Sequence, residues 1–278
     1  MQLLTPYDLT RARMEALFAR ADEIQNGAAP RLSQKRVALA LSYLPAPFPI
    51  DLAKTCRDEK IECVTLASGP TPAVVARAIR AANASCALVS HAPAGSVNEI
   101  ATLCQTPVLN AGDGIGENPL RALMDAYAIY TLQGALQNLR IGLLGNLKFA
   151  AEAHSLARVL GLFESRLSFI TPAALSMPYD LTDDARATAY EVEETNDLAA
   201  TLKKTDALVL FEIDATRVEE KIYAKLKTFY TLTPATFVDA KEGLVILGAW
   251  NGAEELLAPT RPQAERAARA ILLALIEA

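Results

Sequence analysis

The chain has only two histidines, His91 and His154. Neither a Ser/His/Asp nor a Cys/His arrangement can be assembled convincingly from so few imidazoles. The four cysteines, Cys56, Cys63, Cys86 and Cys104, contain no C-x-x-C pair, which argues against zinc, and no metal is expected. Their spacing implies no disulfide framework. All but Cys56 sit beside Val, Ala or Leu and read as small buried hydrophobes. No basic run interleaved with aromatics occurs, and 27 Lys+Arg against 32 Asp+Glu leave a net charge of −5, so nucleic acid is not an expected partner. No apolar stretch has the length of a membrane span, and Met1-Gln2-Leu3-Leu4-Thr5-Pro6 leads into charged residues rather than a secretory apolar region. The expectation is a cytoplasmic protein with no membrane partner.

What is present is a chain of 278 residues, 51% apolar and 21% charged, enough for one large domain or two of ordinary size. Short continuous apolar runs at Val37–Leu41, Val64–Leu66, Ala87–Val89 and Pro107–Leu109 read as strands covered on both faces. Helical patterns separate them, at Thr71–Ala82 and Ser96–Leu103. The second half repeats the rhythm with runs at Ile141–Leu144, Leu167–Ile170, Ala207–Leu210 and Leu244–Leu247. This alternation predicts an α/β fold of two doubly wound parallel-sheet domains.

Helix punctuation is equally legible. Thr5 followed by Pro6 predicts the start of a helix that carries Leu9, Ala16, Leu17, Ala21 and Ile24 and ends near Asn26-Gly27. Asn118 as N-cap and Pro119 at the first helical position open a second, bridging helix that closes at Gly134. Arg261–Ala278 is amphipathic and predicts a docked C-terminal helix. The expected division is residues 1–134, with the helix of 260–278 packing back on it, and residues 135–259.

Two glycine-bearing loops, Gly112-Asp113-Gly114-Ile115-Gly116 and Gly145-Asn146-Leu147-Lys148, follow predicted strands and precede helices, where backbone N–H groups can hold an anion. Neither is a G-x-G-x-x-G or Walker loop, and no ribose-binding acid follows, so no nucleotide cofactor is expected. His154 falls within a helical pattern and reads as a packed residue. The pairs Asp183-Asp184, Glu193-Glu194 and Glu254-Glu255 read as solvated surface in connecting segments.

From Thr106-Pro107-Val108-Leu109-Asn110-Ala111-Gly112-Asp113-Gly114 through Leu123-Met124-Asp125-Ala126-Tyr127, Leu139–Gly145, Leu147-Lys148, His154-Ser155-Leu156-Ala157 and Pro172–Pro178, the sequence closely resembles the aspartate carbamoyltransferase family. Weaker correspondence extends over nearly the whole chain, including Tyr223, Phe229-Tyr230 and the C-terminal helix. The resemblance implies two α/β domains joined by interdomain helices and trimers with active sites shared between subunits. It also implies carbamoyl transfer from carbamoyl phosphate to an amino acid.

At the positions that the family uses for this chemistry the residues differ. The Ser-Thr-Arg-Thr-Arg phosphate loop falls on Ala46, Pro47, Phe48, Pro49 and Ile50. Pro45, Pro47 and Pro49 have no N–H for an anion, and Phe48 and Ile50 are apolar where guanidinium is needed. The mobile Ser/Lys loop falls near Ser68-Gly69-Pro70-Thr71, without lysine. Arg-His-Pro reads His91-Ala92-Pro93, and His-Pro-Thr-Gln reads Asn118-Pro119-Leu120-Arg121. On the amino-acid side the two arginines become Ala151 and Glu212, and His-Pro-Leu-Pro-Arg becomes Gly248-Ala249-Trp250-Asn251-Gly252.

Hydrogen bonds to charged groups are worth about 1.5–3 kcal/mol each, so four lost phosphate contacts remove roughly 6–12 kcal/mol. A millimolar to micromolar ligand binds with only about 4–8 kcal/mol in all. The sequence therefore predicts an oligomeric scaffold or ligand-sensing relative that has lost carbamoyl transfer, as a homotrimer or with a related chain, and with no catalytic residue. A sensor's cleft would be lined by Phe48, Ile50 and Trp250. The alternative is a transferase or lyase acting on another small molecule, with His91, Arg121 and Lys148 as residual ligand contacts and Glu212 and Asp113 as further polar groups.

Overall fold

The computed structural model describes residues 1–42, 48–67, 69–213, 220, 223 and 232–278. Ala46 and Pro47, with Pro45, Ser68 and Phe229-Tyr230, lie outside the described residues.

The apolar runs form two separate, wholly parallel sheets. The first contains β1 (Arg36–Leu41), β2 (Glu62–Thr65), β3 (Cys86–Ser90) and β4 (Val108–Asn110), in the order β2-β1-β3-β4. The second contains β5 (Arg140–Gly145), β6 (Arg166–Ile170), β7 (Glu191–Thr195), β8 (Ala207–Phe211) and β9 (Val245–Ala249), in the order β7-β6-β5-β8-β9. In each sheet the first strand is flanked by later strands on both sides, β1 by β2 and β3, β5 by β6 and β8. That reversal opens a crevice at the carboxyl ends of the strands, where open α/β sheets take their ligands.

The strand pleat sorts the side chains. In β1, Val37 and Leu39 join the main core, while Ala38 and Ala40 face Val75, Ile79, Val97 and Ile100 on the other side. The helices that cover the first sheet are α1 (Arg11–Gln25), α2 (Leu52–Asp58), α3 (Pro72–Ala81) and α4 (Ser96–Cys104). Next comes α5 (Pro119–Gln133), with Asn118 capping the Arg121 N–H at 3.1 Å and Gly134 ending the helix at φ 80°. Residues Pro119 to Ile129 of α5 are buried all round, as its position against β4, β9 and α6 (Ala151–Gly161) requires. After α7 (Tyr179–Thr188), α8 (Leu198–Leu202) and α9 (Glu254–Leu257), the chain ends in α10 (Arg261–Glu277), which packs on α5 and α1. Phe18, Tyr127, Tyr130 and Phe163 cluster with ring centroids 5.1 to 6.0 Å apart, tying α1 to α5. Among the described residues no helix is long and apolar enough to cross a membrane.

Several local expectations are corrected. The first helix is two elements: Thr5 and Asp8 form a reciprocal capping box around a 3-10 turn, Pro6–Asp8, and Leu9 is extended before Thr10 caps α1. Because Leu9 leaves the helical region, α1 needs a cap of its own, and Thr10 supplies it by accepting the Arg13 N–H at 3.3 Å. The β2 strand ends at Thr65, short of Leu66, and as an edge strand is half-exposed rather than covered on both faces. Asp183-Asp184 lie in α7, Glu193-Glu194 in β7 and Glu254-Glu255 in α9, not in connecting segments. β7 escapes a hydrophobic-pattern search because Glu191-Val192-Glu193-Glu194-Thr195 is an edge strand whose acids bond outward, Glu193 to the Lys204 ammonium at 2.7 Å.

Candidate functional site

A cavity of about 500 Å³ opens where the segments following β1, β8 and β9 meet α5 and the start of α10. Of the residues singled out in the sequence, it brings together Phe48, Pro49, Arg121, Glu212 and Trp250, which are far apart in the chain. Asp125, Asn251, Glu254, Thr260, Arg261 and Glu265 complete its polar lining.

Arg121 enters from the first turn of α5. Its Nε donates to Asp125 Oδ2 at 2.8 Å, and both side chains are only 6% exposed. Arg121 is thus a buried residue of the cavity wall and not a solvated helix residue. Burial pushes the Asp125 carboxyl above its ordinary range, and the Arg121 guanidinium pulls it back. The signal in the sequence was the i, i+4 spacing of Arg121 and Asp125, which puts the pair on one helical face.

Trp250 is seated by glycine. Gly145 ends β5 at φ +117°, and a Cβ there would stand 2.8 Å from Trp250 Cζ3 and against the Phe211 carbonyl. Gly248, at φ +102°, runs equally close to the backbone of Leu210. Phe48 and Trp250 therefore face an open cavity and do not fill it, and Glu212 stands exposed at its mouth.

The other candidates lie elsewhere. His91 is buried beside α4, with Nδ1 2.9 Å from Ser96 Oγ and Nε2 3.3 Å from the Gly69 carbonyl. Lys148 is exposed, its ammonium 5.3 Å from the centre of the Phe149 ring. Ala151 is buried at the first position of α6, Asn118 is spent on its cap, and Ile50 borders a second pocket with Asp51 and Lys54. None of these five is among the residues lining the 500 Å³ cavity.

Both glycine loops turn backbone donors onto their own chain; in the second, the Asn146 N–H donates to the Phe211 carbonyl at 3.0 Å and the Phe149 N–H to Asn146 Oδ1 at 3.2 Å. In the first, the Asp113 carboxylate itself accepts the Gly95 N–H at 3.0 Å and, more closely, the Glu117 N–H. Gly114 and Gly116 are needed for packing, against the Ala92 carbonyl and the Asp113 carboxylate. His154 stitches the two loops together. Its ring nitrogens lie 3.2 Å from the Gly116 carbonyl and 2.9 Å from that of Leu147, and burial holds its pKa below the ordinary value. It sits in the first turn of α6 and is a packed residue, as its sequence context implied.

Beside this junction, burial pushes the Glu117 carboxyl up to about 7, with the Ser155 hydroxyl opposing and Asp113 and Asp184 adding to the rise. Ser155 Oγ contacts Glu117 Oε2 and accepts the Asn118 N–H at 2.9 Å. Nothing in the local pattern around Glu117 announced this. Cys56, the cysteine outside an apolar run, is fully buried beside Cys63, and burial pushes its thiol up to about 12. Among the described residues no group of His, Cys, Asp and Glu could hold a metal ion.

No protein-family model matches the chain. Over 185 residues it is 34% identical to the aspartate carbamoyltransferase catalytic subunit of Thermococcus onnurineus, covering 66% of this chain and 58% of that protein. It is 26% identical over 252 residues to aspartate carbamoyltransferase catalytic subunit 2 of Shewanella halifaxensis, covering 86% of this chain and 80% of that one. Among solved structures, aspartate transcarbamoylase from Trypanosoma cruzi in complex with carbamoyl phosphate superimposes with a TM-score of 0.80 at 21% identity, over 98% of this chain and 95% of that one. The chain thus spans little more than half the length of the Thermococcus relative in its sequence match, while the fold likeness runs nearly end to end.

Proposed function

The chain belongs to the aspartate carbamoyltransferase family, and from that premise we propose that it does not transfer carbamoyl groups but serves as a ligand-binding, oligomeric relative of the catalytic subunits. The observation that carries this reading is the Arg121–Asp125 pair. The cavity's buried cation is already matched by a buried carboxylate at 2.8 Å. A phosphate dianion would have to compete with Asp125 for that guanidinium and pass Glu212 at the mouth. Where the family's phosphate loop falls, the described part of the wall is Phe48 and Pro49.

The open volume favours a ligand-binding role over a purely structural scaffold, since about 500 Å³ suits a small molecule. A transferase or lyase acting on another substrate has less behind it, because His91 and Lys148 do not line the cavity. In this reading residues 1–134 with 260–278 form one unit and 135–259 the other. Assembly is a homotrimer or an oligomer with a related chain, in the cytoplasm.

The test is calorimetric titration with carbamoyl phosphate beside an assay of carbamoyl transfer to aspartate and ornithine. No heat of binding and no product are expected. Micromolar binding with turnover would overturn the proposal.

A further inference from the structure

Among the described residues, charge around the cavity is unevenly divided. With the Arg121–Asp125 pair neutral as a unit, the described lining carries three further carboxylates, Glu212, Glu254 and Glu265, against one further guanidinium, Arg261. All four of these side chains belong to exposed residues at the rim. The same lining holds two half-buried aromatic residues, Phe48 and Trp250, and the buried apolar Ile246, Leu247 and Leu257. Exposed carboxylates that share a cavity with aromatic rings are complementary to a positive charge carried on an apolar body. It is the reverse of what a phosphate or a dicarboxylate requires.

We propose that the cavity binds a small organic cation, an amine or guanidinium with a short apolar body, its charge among Glu212, Glu254 and Glu265 and its body against Trp250 and Phe48. The proposal rests on the reading that the cavity has given up carbamoyl phosphate, and names the chemical class that replaces it. Two features beyond the acidic rim support it. The cavity is concave and large enough for such a molecule. Its buried guanidinium is held by Asp125, so it presents no uncompensated charge to repel a cation.

Trp250 is the only tryptophan in the chain, so its fluorescence reads this cavity. The probes are n-butylammonium and butylguanidinium, with butyrate, inorganic phosphate and carbamoyl phosphate as the anionic comparison. Both cations are expected to give a saturable change that weakens with added salt, and butyrate and phosphate none. Each of Glu212→Gln and Glu265→Gln should weaken cation binding about 2- to 5-fold, as loss of an exposed charge pair does, and the double variant about 10-fold. Absence of a saturable change with either cation, or stronger binding of butyrate than of butylammonium, would overturn the inference while leaving the non-catalytic reading intact. Micromolar binding of carbamoyl phosphate with turnover would overturn that underlying reading instead.

Discussion

Arg121 and Asp125 stand one helical turn apart on α5 and meet at 2.8 Å inside the cavity wall. The pair does two things at once: it allows the buried stretch Pro119–Ile129 of α5 to carry charge, and it withholds that charge from ligands. Breaking a buried pair from one side leaves the other charge uncompensated. Asp125→Asn is therefore expected to destabilise the protein by about 3 kcal/mol in urea unfolding. It should also confer phosphate binding that the parent lacks. Unchanged stability together with no gain of phosphate binding would show that the pair controls neither.

Glu117 makes stability depend on pH. Burial pushes its carboxyl up to about 7 in the folded chain from an ordinary 4.5, so between these limits the folded state keeps a proton that the unfolded state has released. Stability should then fall as pH rises through that window, by at most about 3 kcal/mol. His154, with its pKa lowered, works the opposite way, removing stability as pH falls through about 6.5 and below. Glu117→Gln isolates the first effect. The variant should gain about 3–6 °C in melting temperature over the parent at pH 8 and little at pH 4.5. An equal difference at both values would contradict the assignment.

Gly145 tests how Trp250 is seated. Gly145→Ala puts a methyl into a left-handed position 2.8 Å from the indole and against the Phe211 carbonyl. A loss of about 2 kcal/mol or more is expected, with a shift of the tryptophan emission as the ring is displaced. Gly252→Ala is the control. It also has a positive φ, +82°, but a Cβ there meets nothing within 4 Å, so it should cost less and leave the emission alone.

Cys56 should be inert to alkylation. Burial raises its thiol to about 12, leaving almost no thiolate at neutral pH. Iodoacetamide at pH 8 is expected to spare Cys56 in the folded protein and to modify it once urea unfolds the chain. Peptide mass mapping before and after unfolding reads the difference.

Much of the architecture was legible because it is written in local signals. Eight of the nine described strands were marked by apolar runs, whereas β7 was not, since an edge strand with outward-bonding glutamates has no need of them. The bounds of α5 are carried by Asn118, Pro119 and Gly134, which act within a turn of the helix ends. The site was less legible. Phe48, Pro49, Arg121, Glu212 and Trp250 do meet, but His91, Lys148, Ala151, Asn118 and Ile50 do not line the same space, and Glu254, Arg261 and Glu265 gave no sign that they would.

By itself the sequence determined the α/β alternation, the central helix and the family likeness, because period, caps and motif residues act over a few neighbouring positions. Tertiary structure alone decided that Arg121 spends its charge on Asp125, that Glu117 sits where burial raises its pKa, and that the cleft stays open with an acidic rim. Those outcomes depend on desolvation and on the meeting of segments that follow three different strands, and neither quantity exists until the two sheets have come together around α5.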